Sequence, residues 1–332
     1  MPSVHLLNVS PGDCTVIKHG SGHVSVIDIC DGNLEEETQK SLSEAATLER
    51  PKGNFGMCNH PTHPIPYIKN LAGSSKVFRF ILTHPDMDHM DGFNALCDKI
   101  GIANYWDTGS RRDKPDFAGG PFLEEDWDRY VKVRDNKDDG TSSAKRQAGS
   151  RFAFANKTED GNGGGDGLYI LAPDAELVKD ANMNDDINDG SYVVLYRSAG
   201  GRVVIPGDAH DKTWDYVTEN YLSDVKNCSF MLAPHHGRDS SRSYDFLDKI
   251  KPKLTLIGCS PSKYIDYAQW SRRGLDYITS NQAGNVVLET QDGKLDVYIE
   301  NESFAKAKGA DTSKRNSQGY FYLQSVPETE ES

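Results

Sequence analysis

The sequence has no apolar run of the ~18 residues that a membrane-spanning helix needs. Its first residues, MPSVHLLNVSPGD, lack the basic segment and hydrophobic core of a signal peptide. Its six cysteines form no Cys-x-x-Cys pair, and their spacing in 332 residues does not resemble a disulfide framework. These absences predict a cytoplasmic protein with free thiols and no membrane segment.

Positive charge is also scarce. The chain has 37 Lys plus Arg against 50 Asp plus Glu, a formal net charge of −13. Such a chain repels polyphosphate on average, which argues against coating nucleic acid without regard to sequence. It does not exclude a local site that neutralises phosphate with metal ions. The 15 Tyr, 12 Phe and 4 Trp argue against general disorder.

Short Val- and Ile-rich segments separated by Gly-containing turns predict an antiparallel start to the chain. The three segments are 3–9, 14–19 and 23–29. Residues 33–50 have helical character, and later strands alternate with helices, which favours two sheets with helices outside them. We expect one α/β domain over 1–300, with a polar insertion at about 109–167 and a partly flexible C-terminal extension at 301–332.

Metal-type ligands follow the apolar segment KVFRFILT directly. His84, Asp86, Asp88 and His89 fall within six residues. Imidazole and carboxylate are ligands that borderline divalent cations prefer. Left unpaired in the interior, such groups would each cost about 2–7 kcal/mol. The spacing therefore favours a metal site over a polar surface turn.

Two other apolar segments end in the same kind of residue. RVVIPGD ends in Asp208, and FMLAPHHG contains His235 and His236. If these strand ends lie on one rim of a sheet, their side chains form a single site with His84 and its neighbours.

This set of residues resembles the metallo-β-lactamase superfamily, whose His-x-Asp-x-Asp-His motif is matched from His84 to His89. The resemblance is closest to the branch with the hydrolase domain of ComEC-type DNA-uptake proteins and related phosphorylcholine esterases. It covers about residues 3–105 and 168–260. Its further matches are the altered turn from Val9 to Asp13, Asp28, Asn188, Ser191, Gly207-Asp208 and His235-His236-Gly237. The resemblance implies an αββα sandwich of two mixed β-sheets flanked by helices, and hydrolysis at two metals on the sheet rim.

The resemblance also implies a division of roles. His84 and Asp86 would belong to a first metal site, Asp88 and His89 to a second, and Asp208 would bridge both. His235 or His236 would complete the second site, and the superfamily pattern favours His236. The neighbouring His235 could then contact phosphate or protonate a leaving group, and Asp86 or Asp88 could take the proton of the attacking water.

One departure from the superfamily pattern concerns the first site. Most members have a further His between the first motif and the bridging Asp, but this sequence has none between residues 90 and 209. The residues that could take its place are Asp107, Asp185, Asp186 and Asn188. We expect two divalent ions, Zn²⁺ or Mn²⁺, with the first bound more weakly and open to Mg²⁺.

Residues near the predicted ligands have two interpretations each. Asp13 and Asp28 could orient ligands by hydrogen bonds or cap turns. Asn188 and Ser191, at the entry to a predicted hairpin, are also expected to support the ligands. Ser240 and Ser241 could donate to a substrate phosphate or cap a helix.

Three other groups are weaker candidates. Cys58, His60 and His63 could hold an extra metal but lack a fourth ligand, which favours an ordinary loop. The basic residues of the insertion could grip phosphate, but the many acidic neighbours favour a solvated loop; they are Arg111, Arg112, Lys114, Lys145 and Arg146. Lys263, Tyr264 and Tyr267 could line a pocket.

These observations predict a metal-dependent hydrolase, a phosphodiesterase or nuclease that uses metal-activated water on a small or single-stranded substrate. One alternative is a hydrolase of esters, lactones or thioesters. Another is a non-catalytic metal-binding scaffold or regulatory protein that binds a protein partner through residues 109–167.

Overall fold

The computed structural model describes residues 1–33 and 55–328. The helix predicted over 33–50 lies outside these residues except at its first position. Among the described helices, none is long and apolar enough to cross a membrane.

The described residues form strands and helices that alternate after an all-strand start. The strands are β1 Ser3–Leu6, β2 Thr15–Lys18, β3 Val24–Ile27, β4 Val77–Ile81, β5 Ile102–Asp107, β6 Ser142–Lys145, β7 Leu168–Ala172, β8 Val193–Ser198, β9 Gly201–Ile205, β10 Phe230–Leu232, β11 Thr255–Ile257, β12 Tyr277–Thr279, β13 Val286–Gln291, β14 Lys294–Ile299 and β15 Phe321–Pro327. The α-helices are α1 Pro64–Ala72, α2 Phe93–Lys99, α3 Glu124–Arg134, α4 Ala175–Asn184, α5 Asp211–Asn220, α6 Leu222–Val225, α7 Phe246–Ile250, α8 Ala268–Ser271, α9 Ser280–Ala283 and α10 Glu302–Ala307.

These strands form two mixed sheets. The first has the order β15-β14-β13-β1-β2-β3-β4-β5-β6, and the second β12-β11-β10-β9-β8-β7. In the first sheet β3 to β6 are parallel, and in the second β9 to β12 are parallel. The carboxyl ends of each parallel set therefore share one rim of their sheet.

Alternating apolar side chains on the strands produce a four-layer sandwich. Ile17 of the first sheet and Val203 of the second belong to one buried cluster between the sheets. Val16, one residue before Ile17, points the other way and joins a cluster with residues of α1, α2 and α3. Val204 of β9 likewise joins a cluster with residues of α5 and α7. Helices thus cover both outer faces, and the predicted αββα sandwich of two mixed sheets is confirmed.

The first sheet extends into both segments that the sequence analysis set apart from the core. Within 109–167, α3 packs on the sheet and β6 pairs in parallel with β5. Beyond residue 300, β15 pairs antiparallel with β14 and forms the outer edge of the same sheet. Phe321, Leu323 and Val326 of β15 are buried in the cluster between the sheets, so this strand contributes to the core there.

Candidate metal centre

Three strand ends bring the predicted ligands together. His84 follows β4, Asp208 follows β9, and His235 and His236 follow β10. The parallel order of these strands within each sheet places the residues on adjoining rims. Gly207 lets the two rims meet, because a Cβ atom there would lie 2.6 Å from Cβ of Thr83. His84, His89 and His236 are at most 1% exposed and Asp208 is 4% exposed.

The two histidines of the first motif are held through their Nδ1 atoms. His89 Nδ1 lies 2.8 Å from Asp28 Oδ2, and His84 Nδ1 lies 3.1 Å from Thr83 Oγ1. Asp28 also accepts the Thr83 backbone N–H and hydroxyl, both at 2.7 Å. With Nδ1 as the donor, each ring presents an Nε2 lone pair, the arrangement that metal-ligating histidines adopt.

His235 and His236 lie on a tight turn that aims both rings inward. Their φ angles are +51° and +55°, in the left-handed region that costs non-glycine residues energy and is concentrated at functional sites. His236 Nδ1 lies 3.3 Å from Asp13 Oδ1, and His235 Nδ1 lies 3.3 Å from His210 Nε2. Their Nε2 atoms therefore also point into the cluster.

The Asp208 carboxylate divides the cluster into two halves. Its Oδ1 atom lies 3.3 Å from His89 Nε2 and 3.7 Å from His236 Nε2. Its Oδ2 atom lies 3.6 Å from His235 Nε2 and 3.9 Å from His84 Nε2. One carboxylate thus faces two pairs of imidazoles, as a bridging ligand between two metal ions would.

Several buried atoms of this cluster have no hydrogen-bond partner. They are Nε2 of His84, His89 and His236, Oδ1 of Asp208 and Oδ2 of Asp13. Buried polar atoms are almost always satisfied, so orphaned atoms that converge on one point require an explanation. One atom each from Asp13, His89, Asp208 and His236 lies within 4.8 Å of the others. Nitrogen and carboxylate donors in this arrangement fit a divalent cation.

Burial and the neighbouring charges shift the pKa values of the residues in this cluster. Burial lowers the pKa of His84 to about 3 and that of His235 to about 4, although Asp208 opposes both shifts. Burial also acts on His236, but Asp13 and Asp208 outweigh it and raise the pKa of His236 to about 10. Burial raises the pKa of Asp208, but His89 and His236 outweigh burial and hold it well below its usual value.

The two aspartates of the first motif differ in position. Asp88 Oδ2 lies 3.6 Å from His236 Nε2, and its Oδ1 lies 4.0 Å from His89 Nε2, on the second half of the cluster. Asp86 caps the turn from Met87 to His89 by accepting the Met87 N–H at 3.0 Å, and it pairs with Arg112. The role of Asp86 as a ligand stays a prediction, since its recorded partners are Met87 and Arg112.

The supporting residues predicted around the ligands behave unequally. Asp28 and Asp13 hold His89 and His236, as described above, and the free Oδ2 of Asp13 makes Asp13 a candidate ligand as well. Asn188 Nδ2 lies 3.2 Å from His210 Nε2 rather than at a predicted ligand. Ser191 is buried with an unpartnered hydroxyl.

Ser240 and Ser241 lie on the exposed loop after the two histidines. Ser240 Oγ accepts Arg242 Nε at 2.6 Å, and the Ser241 backbone N–H donates to Asp239 at 3.3 Å. The helix that follows, α7, has no side-chain cap, so neither serine caps it. Their contact with substrate stays a prediction.

The residues between 90 and 209 do not supply a replacement for the missing His of the first metal site. Asp107 forms two hydrogen bonds with Arg111, and Asp186 and Asn188 contact His210. The group that faces Asp208 Oδ2 beside His84 is His235. The structure therefore places His235 and His236 on opposite halves of the cluster.

His210 is the residue that the sequence analysis missed. It precedes α5, and its Nε2 lies 3.3 Å from His235 Nδ1 while its Nδ1 lies 3.3 Å from Asp186 Oδ1. A chain Asp186–His210–His235 thus leads from the surface to Asp208. The available signal was the spacing Asp-Ala-His at 208–210, two residues after the predicted bridging ligand.

Weaker candidates of the sequence analysis have ordinary partners. Arg111 binds Asp107, Arg112 binds Asp86, and Lys114 binds Glu124 at 2.6 Å. Among the described residues, two clusters of His, Cys, Asp and Glu are compact enough for a metal ion, and neither contains Cys58, His60 or His63. The second consists of Cys30, Asp31 and Asp91. It contains an internal hydrogen bond, since Asp91 accepts the Asp31 N–H at 3.1 Å.

Comparison with known proteins gives similarities of fold at low identity. The chain is similar to Igni18, a metallo hydrolase from the hyperthermophilic archaeon Ignicoccus hospitalis (TM-score 0.45, 14% identity, 87% of this chain and 100% of that one). It is also similar to Tm1679, a metal-dependent hydrolase of the β-lactamase superfamily (0.41, 12%, 88% and 100%). A third is CmlA, a diiron β-hydroxylase from Streptomyces venezuelae (0.42, 10%, 86% and 54%), so the chain spans about half of that protein. No family model and no curated protein matches the chain.

Proposed function

We propose that this protein is a metal-dependent hydrolase of the metallo-β-lactamase type that cleaves phosphodiester bonds with water activated at a dinuclear site. The observation that carries the proposal is the division of Asp208. Each of its oxygens faces two imidazole Nε2 atoms, and each of those imidazoles is held at Nδ1 by another side chain.

The residues present fit two divalent ions, Zn²⁺ or Mn²⁺. His84, His235 and Asp208 Oδ2 would hold the first, where Mg²⁺ is a further candidate. The second would be held by Asp208 Oδ1 with Asp88, His89 and His236, and Asp13 is an additional donor. When bound, such ions would lower the pKa of water and polarise a phosphoryl oxygen.

The exposure of the side chains indicates which of them can transfer protons. Asp88 and His235 have side chains that are 25% and 17% exposed, whereas those of His84 and His89 are fully buried. The exposed pair can therefore exchange protons with water and substrate, Asp88 as a base and His235 towards the leaving oxygen. Arg112, with 37% of its side chain exposed, lies at Asp86 on the outer side of the site, where it can orient a phosphate.

The test is hydrolysis of bis(p-nitrophenyl) phosphate and p-nitrophenyl acetate by protein loaded with Zn²⁺ or Mn²⁺, with metal content measured on the same samples. We expect about two ions per chain and turnover of the phosphodiester that Asp208→Asn abolishes. Turnover of the acetate alone would select the ester hydrolase. Metal bound at one ion per chain without any turnover would select the non-catalytic scaffold.

A further inference from the structure

An uncharged cavity of about 340 Å³ lies beside the candidate metal centre. Its walls come from the turn after β1, the turn of Met57–Asn59, the segment after β11 and the start of α9. The volume is near the lower end of the ~300–1,000 Å³ typical of small-molecule pockets. The residues that carry the argument are Ser10, Asn59, Gly258, Ser260, Ile265 and Tyr267.

The cavity and the ligand cluster share a wall that is one backbone thick. A Cβ atom on Gly258 would lie 3.4 Å from Asp13 Oδ1 and 3.7 Å from Cβ of His236. Cys259 pairs with Gly12 in an antiparallel bridge, directly before Asp13. The cavity therefore adjoins the ligand cluster across the backbone of Gly258.

The lining combines hydrogen-bonding groups with apolar surface. Ser10, Asn59 and Tyr267 contribute polar groups, and Ile265 contributes apolar surface. Ser260 is 9% exposed, and its hydroxyl has no hydrogen-bond partner. A buried hydroxyl without a partner costs free energy, so a ligand that supplies the partner gains specificity here.

The same lining disfavours charged ligands. Among the described residues its lining includes no Lys, Arg, Asp or Glu, so these residues offer no counter-ion to a second phosphate or an ammonium group. Tyr267 is the one aromatic residue that the described part of the chain contributes to this lining, whereas quaternary ammonium groups are bound by cages of several aromatic rings. The chemistry that remains is that of a neutral ring with polar edges.

We propose that this cavity binds a neutral, hydrogen-bonding ring, a nucleoside or a sugar, that is esterified to the phosphate cleaved at the metal centre. This inference rests on the proposed function and names the substrate side of the same site. It predicts that Ser260 recognises the ring and does not take part in the cleavage.

The experiment compares four diesters of p-nitrophenyl phosphate that share a leaving group and differ in the second alcohol: thymidine, glucose, choline and methanol. We expect kcat/KM for the thymidine or the glucose diester to exceed that for the methyl diester by about tenfold or more. The better of the two identifies the source of the ring. The choline diester should not exceed the methyl diester, and a preference for choline would overturn the proposal.

Ser260→Ala tests the residue and Thr255→Val is its matched control. Both hydroxyls are buried and unpartnered, but Thr255 lies at the start of β11 and does not line the cavity, whereas Ser260 lies after the end of β11. Ser260→Ala should raise KM for the preferred diester about three- to tenfold and leave the methyl diester unchanged. Equal effects of the two variants, or equal losses on all diesters, would contradict the proposal.

A binding measurement separates this proposal from the proposed function. Thermal denaturation with free thymidine and free glucose needs no turnover, and we expect one of them to raise the Tm of the wild type but not of Ser260→Ala. If no diester is cleaved while this protection is seen, the cavity stands and the phosphodiesterase proposal falls. If diesters are cleaved without preference and neither compound protects, the cavity proposal falls alone.

Discussion

Two buried clusters of charged and imidazole groups lie along strands β3 and β4, and they differ in how their hydrogen bonds are satisfied. Behind the rim, Arg79 of β4 donates to Ser25 at 3.0 Å, to Asp166 at 2.7 Å and to the Phe154 carbonyl at 2.9 Å. His19 closes the network between Ser25 and the Asp166 carbonyl. Every buried polar atom of Arg79, His19 and Asp166 has a partner.

The rim cluster has the same kinds of residues but remains open. His84, His89 and His236 are satisfied at Nδ1 and orphaned at Nε2, and the orphaned atoms converge on Asp208. Burial of charge therefore does not by itself indicate a functional site in this protein. The unsatisfied atoms that point to one centre distinguish the site from the structural network.

Asp208→Asn should break the rim cluster most severely. The substitution keeps the shape of the side chain but removes the charge that both halves share, so we expect bound metal to be lost from both. Activity on bis(p-nitrophenyl) phosphate should fall by roughly 10³-fold or more. This is a larger loss than the about 10–100-fold that typically follows when a residue that only orients a metal ligand is removed. Metal analysis and kinetics check this, and an active Asp208→Asn protein with two ions would refute the ligand assignment.

Arg79→Met should break the closed network without touching the reaction. It leaves the buried Asp166 carboxylate without its cation, and breaking one side of a buried pair costs about 3–5 kcal/mol. Urea denaturation should show a loss of this size in the free energy of unfolding. At urea concentrations below the unfolding transition, metal content and kcat per folded chain should match the wild type. A selective loss of kcat would mean that the two clusters are coupled.

Much of this arrangement follows from local sequence. An apolar segment that runs into His84, Asp208 or His235 marks a strand that ends on a rim, and parallel neighbours share that rim. For this reason the predicted ligands His84, Asp88, His89, Asp208 and His236 lie together. Asp28 follows β3, the strand that pairs with β4, and its carboxylate lies beside His89.

The assignment of each imidazole to one carboxylate oxygen could not be predicted. It depends on the left-handed backbone at His235 and His236, which no spacing of residues reveals. His210 was missed because it meets His235 across 25 positions of sequence, through a contact between two loops. The edge strand β15 was missed because its apolar run ends after three residues, at Gln324 and Ser325, and lies in a tail rich in Ser, Lys and Glu.

The two clusters should also give opposite dependences of stability on pH in metal-free protein. Burial lowers the pKa of His236, but Asp13 and Asp208 outweigh burial and raise it from 6.5 to about 10. Its contribution is thus present below pH 6.5 and is lost as pH rises towards about 10. Burial lowers the pKa of His19 to about 3, so its contribution is present above pH 6.5 and is lost as pH falls.

Denaturant unfolding across this range tests both slopes. We expect His236→Gln to remove the alkaline loss of stability and His19→Asn to reduce the acid loss, each on the order of a few kcal/mol at most. Saturating Zn²⁺ should also remove the alkaline loss, because the Nε2 atom then holds a cation instead of a proton. An alkaline slope that survives in His236→Gln would show that other groups cause it.

The smallest expected effect concerns a single hydrogen bond, the one between His210 and Nδ1 of His235. His210 binds His235 at Nδ1 as Asp28 binds His89, so it should fix the ring without holding metal itself. His210→Ala should weaken the first metal by about 10–100-fold and leave the second unchanged, whereas Asp28→Ala should weaken the second. Metal titration with a competing chelator resolves the two affinities, and His210→Gln, which restores a side-chain acceptor, should recover part of the first. Equal weakening of both ions by His210→Ala would mean that His210 stabilises the whole rim, and the distinction between the two halves of Asp208 would then fail.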